Sequence, residues 1–142
     1  QITWLFFHSF AEKVHVDFFN KNKSDCLGLI KYVCYNLPCP ECRKHAINYI
    51  EKVNIYNCKT KEDLIKYIWN FHNNVNNRLN KKTYPFESLS MYKTSIFPKI
   101  FFRFIHEFKR PYYYTKSMNS WKRQRVGKKI MFYFRHNMKH FI

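Results

Sequence analysis

Glycine occurs at only two positions, Gly28 and Gly127. Neither a glycine-rich phosphate loop nor a G-x-G-x-x-G dinucleotide turn can be built from them, so P-loop and Rossmann enzymes are excluded. Apolar residues instead recur at three- and four-residue steps, the period of a helix. Over residues 2–19, Trp4, Phe7, His8, Ala11, Val14, His15 and Phe18 follow that step, with Glu12, Lys13 and Asp17 largely on the other side, which predicts one amphipathic helix. Residues 20–24 form a polar break, with Ser24 or Asp25 the expected N-cap of a second helix through Leu27, Ile30, Val33 and Cys34 that Pro38 ends. Pro40 suits the first turn of a third helix carrying Cys42, His45, Ala46, Tyr49 and Ile50. Thr60 followed by Asp63 approaches a capping box for a long fourth helix, on which Leu64, Ile68, Phe71, His72, Val75, Asn76 and Leu79 share a stripe. Residues 86–95 are expected to form a short fifth helix. No strand run interrupts this series. The predicted fold class is all-α, a four-helix bundle with a short fifth helix.

A length of 142 residues suits one core. With 26 Lys and Arg against 9 Asp and Glu, the formal charge is +17, yet 46% of residues are hydrophobic, far too many for a disordered basic tail. Part of the excess of Lys, Asn, Ile, Phe and Tyr matches an AT-rich coding bias, and the charge is discounted accordingly. No acidic residue follows Glu107, while Lys109, Arg110, Lys116, Lys122, Arg123, Arg125, Lys128, Lys129, Arg135 and Lys139 are basic. Residues 97–142 therefore read as a basic, aromatic extension, expected to be helical, on a core of residues 1–96. The most hydrophobic segment, 96–108, is interrupted by Lys99, Arg103 and Glu107, so no membrane span is expected and the chain reads as soluble. Beginning at Gln1 rather than Met, it is expected to lack a few leading residues.

Three constellations carry chemistry. Cys39-Pro40-Glu41-Cys42 places two thiols at a helix start, where they can close a disulfide and where the helix N-terminus favours a thiolate. Half of a zinc site, completed by His45 and Cys34, is the rival for this motif. Five cysteines are an odd number for a disulfide framework, and they point to redox or metal chemistry. Second, His72 and Asn76 lie one helical turn apart beside Val75 and Leu79, with Arg78, Lys81 and Lys82 following. Such a strip suits a flat heteroaromatic ligand with a polar edge and phosphates. The plain alternative is an Asn-rich helix surface that binds nothing. Third, Trp4 and His8 sit at i and i+4, a stacking ring beside a hydrogen-bonding one, or simply a core pair.

In this order and spacing the three pieces resemble the Erv/ALR family of FAD-dependent sulfhydryl oxidases. Trp4-Leu5-Phe6-Phe7-His8 is similar to the family's W-x3-H, Leu37-Pro38-Cys39-Pro40-Glu41-Cys42 to its active-site CxxC, and the segment from His72 to Lys81 to its H-N-x-V-N-x-x-L-x-K flavin motif. The run Cys42-Arg43-Lys44-His45 and the absence of glycine before Lys81 look closest to the short viral members. The resemblance covers about residues 1–95. It implies a helical bundle holding FAD, with Cys39 and Cys42 catalytic and Trp4, His8, Cys42, His72, Asn73, Val75, Asn76, Leu79, Lys81 and Lys82 contacting the cofactor. It also implies a protein thiol or redox relay protein as substrate, molecular oxygen as acceptor with hydrogen peroxide as product, and a homodimer. The expected location is the cytoplasm of an infected cell or the virion, with the mitochondrial intermembrane space as the alternative.

Two departures stand out. Many members carry a CX16C structural disulfide, and the corresponding places here hold Trp69 and Phe86, which are expected to pack together as an apolar substitute with ring centroids within about 7 Å. No second CxxC flanks the core either. Cys26 and Cys34, eight residues apart on one predicted helix, lie about 12 Å from each other, too far to bridge. With Cys58 they are expected to be structural or free thiols. A zinc-binding module remains the alternative function. For residues 109–142 a solvated or dimer-packing helix is favoured over contact with nucleic acid or an anionic membrane.

Overall fold

A computed structural model describes residues 1–110 and 119–142. In chain order the helices are α1 (Ile2–Lys13), α2 (Val16–Lys21), α3 (Lys23–Tyr35), α4 (Pro40–Lys52), α5 (Lys61–Arg78), α6 (Phe97–Lys109) and α7 (Ser120–Asn137). Three 3-10 segments, Ile55–Asn57, Phe86–Thr94 and Met138–Phe141, join or end them. The described residues contain no strand, and the all-α fold class holds.

The single first helix expected over residues 2–19 is broken into α1 and α2. Val14 and His15 are extended, with ψ of 128° and 137°. Contacts from the far end of the chain stabilise the break. The His15 backbone N–H donates to the His140 carbonyl at 2.8 Å, the His15 ring bonds the Ile142 backbone oxygen at 2.8 Å, and Phe18 stacks on the His140 ring at 4.0 Å. The second helix begins at Lys23 behind Asn22, not at Ser24 or Asp25, because Asn22 turns its amide back to the Phe18 carbonyl and leads straight from α2 into α3. Residues 86–94 form a 3-10 segment in place of the expected fifth α-helix. The capping box at the start of α5 is complete, with Asp63 N–H donating to Thr60 Oγ1 at 3.0 Å and Thr60 N–H donating to Asp63 Oδ2 at 3.1 Å.

Helix α1 lies at the centre, packed against α5 on one side and α6 on the other. Its phenylalanines divide the work. Phe6 stacks on Phe104 of α6 at 4.2 Å, nearly parallel, and touches Phe97, Phe101 and Phe134, while Phe10 meets Phe141 at 4.8 Å. Phe7, also fully buried, is turned toward the α5 side beside Trp4. Residues 97–110 and 119–142 thus share one continuous apolar core with α1. Tyr112, Tyr113, Tyr114 and Lys116, which the sequence places in the basic aromatic extension, lie outside the described residues.

Candidate active site

A cleft of about 570 Å³ opens between α1, α4, α5 and the 3-10 segment that follows α5, within the size range of small-molecule and cofactor sites. One wall is the start of α4. Pro40 occupies its first turn, and Cys39 is its N-cap, with Sγ receiving the Cys42 backbone N–H at 3.4 Å. Arg43 Nη1 donates to the Leu37 carbonyl at 2.7 Å and clamps the preceding turn against the helix. Both thiols line the cleft, Cys42 exposed and Cys39 half-buried. Partial burial raises the Cys42 thiol above the ordinary thiol range and the adjacent Cys39 sulfur adds to this, against a lowering pull from the backbone N–H and Arg78. The Cys39 sulfur lies at the amino-terminal end of α4.

The opposite wall is a stack of rings. Trp4 lies flat on His72 at 4.2 Å with an 11° interplanar angle, and its edge meets Phe71 at 5.1 Å. Behind His72, the His8 Nε2 and His72 Nδ1 atoms share one hydrogen bond at 2.9 Å, and Tyr84 and Tyr92 stack against His8 at 5.6 and 5.0 Å. Two ring nitrogens can share a proton in this way only while the pair is not doubly protonated. Burial pushes His8 down to about 3, with the neighbouring His72 adding to the effect. Burial brings His72 down to about 4, and the Lys81 charge adds to the effect. Both rings are neutral near pH 7.

The cleft mouth is set by the end of α5. Leu79 is the C-cap, Asn80 takes φ 54°, and the Lys81 N–H donates back to the Asn76 carbonyl at 2.8 Å. This left-handed turn favours glycine, and asparagine tolerates it best among residues with a side chain. It returns Lys81 to the rim of the cleft beside Arg78.

Among the residues singled out from sequence, Trp4, Cys39, Cys42, His72, Val75, Asn76, Leu79 and Lys81 line this one cleft. His8, Asn73 and Lys82 do not. His8, only 3% exposed, stands behind His72. Asn73 grips the backbone of Tyr84 from both sides, with Oδ1 accepting its N–H at 2.7 Å and Nδ2 donating to its carbonyl at 3.1 Å. Lys82 is exposed beyond the rim. The sequence reading missed Tyr84, Tyr92, Arg78 and His45 as lining residues. Tyr84 lies on irregular backbone and Tyr92 on a 3-10 segment, where no 3.6-residue period marks a side.

Trp69 and Phe86 meet edge to face at 5.4 Å, as expected of an apolar substitute for a disulfide. The Trp69 indole N–H also donates to the Tyr84 carbonyl at 2.8 Å, so this pair and Asn73 fix the same loop. All five cysteines are free thiols, and Cys26, Cys34 and Cys58 are buried. Among the described residues no group of three or more His, Cys, Asp or Glu side chains converges as a metal site. The ligand set of the zinc alternative is therefore not assembled, since Cys34 is fully buried in α3 and does not line the cleft.

The cleft offers stacked rings and aliphatic walls for a flat heteroaromatic group, the Asn76 amide for its polar edge and two cations at the mouth for phosphates. Beside these stands a dithiol. Comparison with known proteins bears on the same residues. The Erv1/Alr family profile matches residues 1–95. An FAD-linked sulfhydryl oxidase of African swine fever virus, from a warthog isolate, is 40% identical over 81 residues, covering 56% of this chain and 67% of that protein. Its counterpart from a pig isolate of the same virus is 38% identical over the same length and coverage. No solved structure gives a significant match. A match that starts with the first helix and stops just past Tyr92, the last residue of the cleft wall, leaves one conclusion: the chain belongs to the Erv1/Alr family.

Proposed function

We propose that this chain is an FAD-linked sulfhydryl oxidase that inserts disulfide bonds into thiol-bearing proteins. The observation that carries the proposal is the position of the Cys39–Cys42 pair at the head of α4, on the same cleft as the Trp4–His72 stack and the Lys81 rim. The residues fit an FAD molecule. Trp4, His72, Val75 and Leu79 would hold its ring system, Asn76 its polar edge, and Lys81 with Arg78 its phosphates. When bound, the flavin supplies a two-electron acceptor next to Cys42 and a route for those electrons to molecular oxygen, with hydrogen peroxide as product.

The chain's own part begins from the Cys39–Cys42 disulfide. A substrate thiolate attacks Cys39 Sγ, a mixed disulfide forms, and Cys42 leaves as a thiolate. A second substrate thiolate then attacks the substrate sulfur of the mixed disulfide, and Cys39 leaves as a thiolate. The substrate is oxidised by two electrons and the CxxC pair is reduced by two. Cys39 suits the leaving role because its sulfur receives the Cys42 N–H at the helix start. Cys42, facing the cleft, suits the role of electron donor. His8 and Asn73 act from behind the wall, one by fixing the His72 ring and the other by fixing Tyr84, and Lys82 is a peripheral contact for phosphate. The catalytic unit is residues 1–96, with residues 97–142 an extension that supports α1 from its other side. A homodimer, acting in the cytoplasm of an infected cell or in the virion, completes the proposal.

Oxygen consumption driven by dithiothreitol tests it. The wild type is expected to turn over with bound flavin, and Cys42→Ser to retain the flavin absorption band while losing turnover. Normal turnover in that variant rejects the assignment.

A further inference from the structure

Helix α7 buries Val126, Ile130 and Phe134 in the common core and turns Trp121, Arg125, Lys128 and Arg135 to solvent, while Lys129 and Phe132 border a shallow groove against α3, with the Lys129 ammonium 4.4 Å over the Tyr32 ring. Trp121 and Phe132 are 71% and 63% exposed. They are eleven residues apart, three turns and about 16 Å along the axis, and so fall on nearly the same line. Arg125, Lys128, Lys129 and Arg135 are exposed on either side of this line, and the Arg125 guanidinium lies 4.7 Å over the Trp121 ring. No acidic residue occurs from position 108 to the end of the sequence, and Asp25 of α3 lies beside the face, lining the same shallow groove as Lys129 and Phe132. None of the residues lining the cleft is on α7.

We propose that this outer face of α7 docks the protein on an anionic lipid bilayer, lying flat with the Trp121 and Phe132 rings among the headgroups and the flanking cations on lipid phosphates and carboxylates. Two exposed aromatic rings bordered by cations on one side of a surface helix can anchor it in the plane of an interface, the rings at headgroup level and the cations on anionic lipid. The apolar side of α7 is already used by the core, so the helix is held in place before it binds. No helix among the described residues is long and apolar enough to cross a membrane, and the contact is peripheral. Single-stranded nucleic acid, the other polyanion, suits the face less well. Platforms for it stack successive bases in a basic groove, and here the rings are about 16 Å apart on a convex rod.

The test uses the full chain with bound flavin and unilamellar vesicles of phosphatidylcholine, with and without phosphatidylserine. Co-flotation is expected only with phosphatidylserine, is lost at high salt, and is accompanied by a blue shift of tryptophan emission. The chain has three tryptophans. Trp121→Phe is expected to float normally without the shift, since Trp4 and Trp69 are already packed. Lys128→Ala/Arg135→Ala, both surface changes, is expected to reduce partitioning about 25-fold, from roughly a factor of five per cation near such a surface. Circular dichroism confirms the fold of each variant. The proposal is overturned by absence of flotation, by equal flotation of the double variant, by a blue shift that survives Trp121→Phe, or by tighter binding to an oligonucleotide than to the vesicles at the same salt.

Discussion

Acidification provides a direct test of the His8–His72 pair. In the folded chain the two imidazoles stay neutral down to about pH 4, because His8 is held near 3 and His72 near 4, mainly by burial. The unfolded chain has ordinary imidazoles that titrate near 6.5. Below 6.5 the unfolded state therefore binds protons that the folded state refuses, and stability falls as pH falls. Going from pH 7.5 to 5, each imidazole stabilises the unfolded chain by about 2 kcal/mol, so the pair costs about 4 kcal/mol. That figure depends little on how far below 5 the folded values lie, since the folded pair is neutral at pH 5 in either case. Against a typical total of roughly 5–15 kcal/mol the loss is large. Urea unfolding followed by circular dichroism at pH 7.5, 6.5, 5.5 and 5 measures it. The variant carrying both His8→Leu and His72→Phe has a lower stability at pH 7.5 but is expected to lose about 4 kcal/mol less than the wild type across the range. Equal losses in the two proteins refute the reasoning, because the pair is then not what titrates.

The other predictions concern supports of the cleft. Phe6→Ala removes the ring that joins α1 to Phe97, Phe101, Phe104 and Phe134; a loss of about 3–5 kcal/mol in chemical denaturation is expected, as for other buried phenylalanines. Asn73→Ala leaves the Tyr84 backbone ungripped and is expected to cost about 1–3 kcal/mol. The same change is expected to weaken flavin retention on dilution while leaving the thiol chemistry of the remaining holoenzyme intact. Trp69→Phe keeps an edge contact with Phe86 but deletes the indole donor to Tyr84, and thermal unfolding is expected to show a deficit of about 1 kcal/mol.

Legibility from sequence followed the range of the interactions involved. Helices α3, α4 and α5 rest on local devices: a proline at the first turn of α4, a capping box before α5 and periodic apolar stripes. Each of these is written within a few residues. The break between α1 and α2 is not, because residues 13–16 carry no proline or glycine to announce it. The partners that stabilise it, His140 and Ile142, are more than a hundred residues away. The same holds for Phe6 and Phe10, whose spacing shows that they are apolar but not that α6 and α7 cover them.

In the site itself, residues on helices were the readable ones. Trp4, His72, Val75, Asn76 and Leu79 face one cleft because a step of three or four residues keeps side chains on one side of a helix. Periodicity alone does not separate a residue that touches the cleft from one that supports it. His8 is one turn from Trp4 yet lies behind the wall, and Asn73 follows His72 directly yet points to the Tyr84 backbone. Both distinctions come from the segment after α5, where Asn80 reverses the chain and carries Tyr84 against the two histidines. That turn holds the site together: Asn73 and Trp69 fix it through the Tyr84 backbone, and the wall that Trp4 and His72 present to the cleft keeps its shape only while they do.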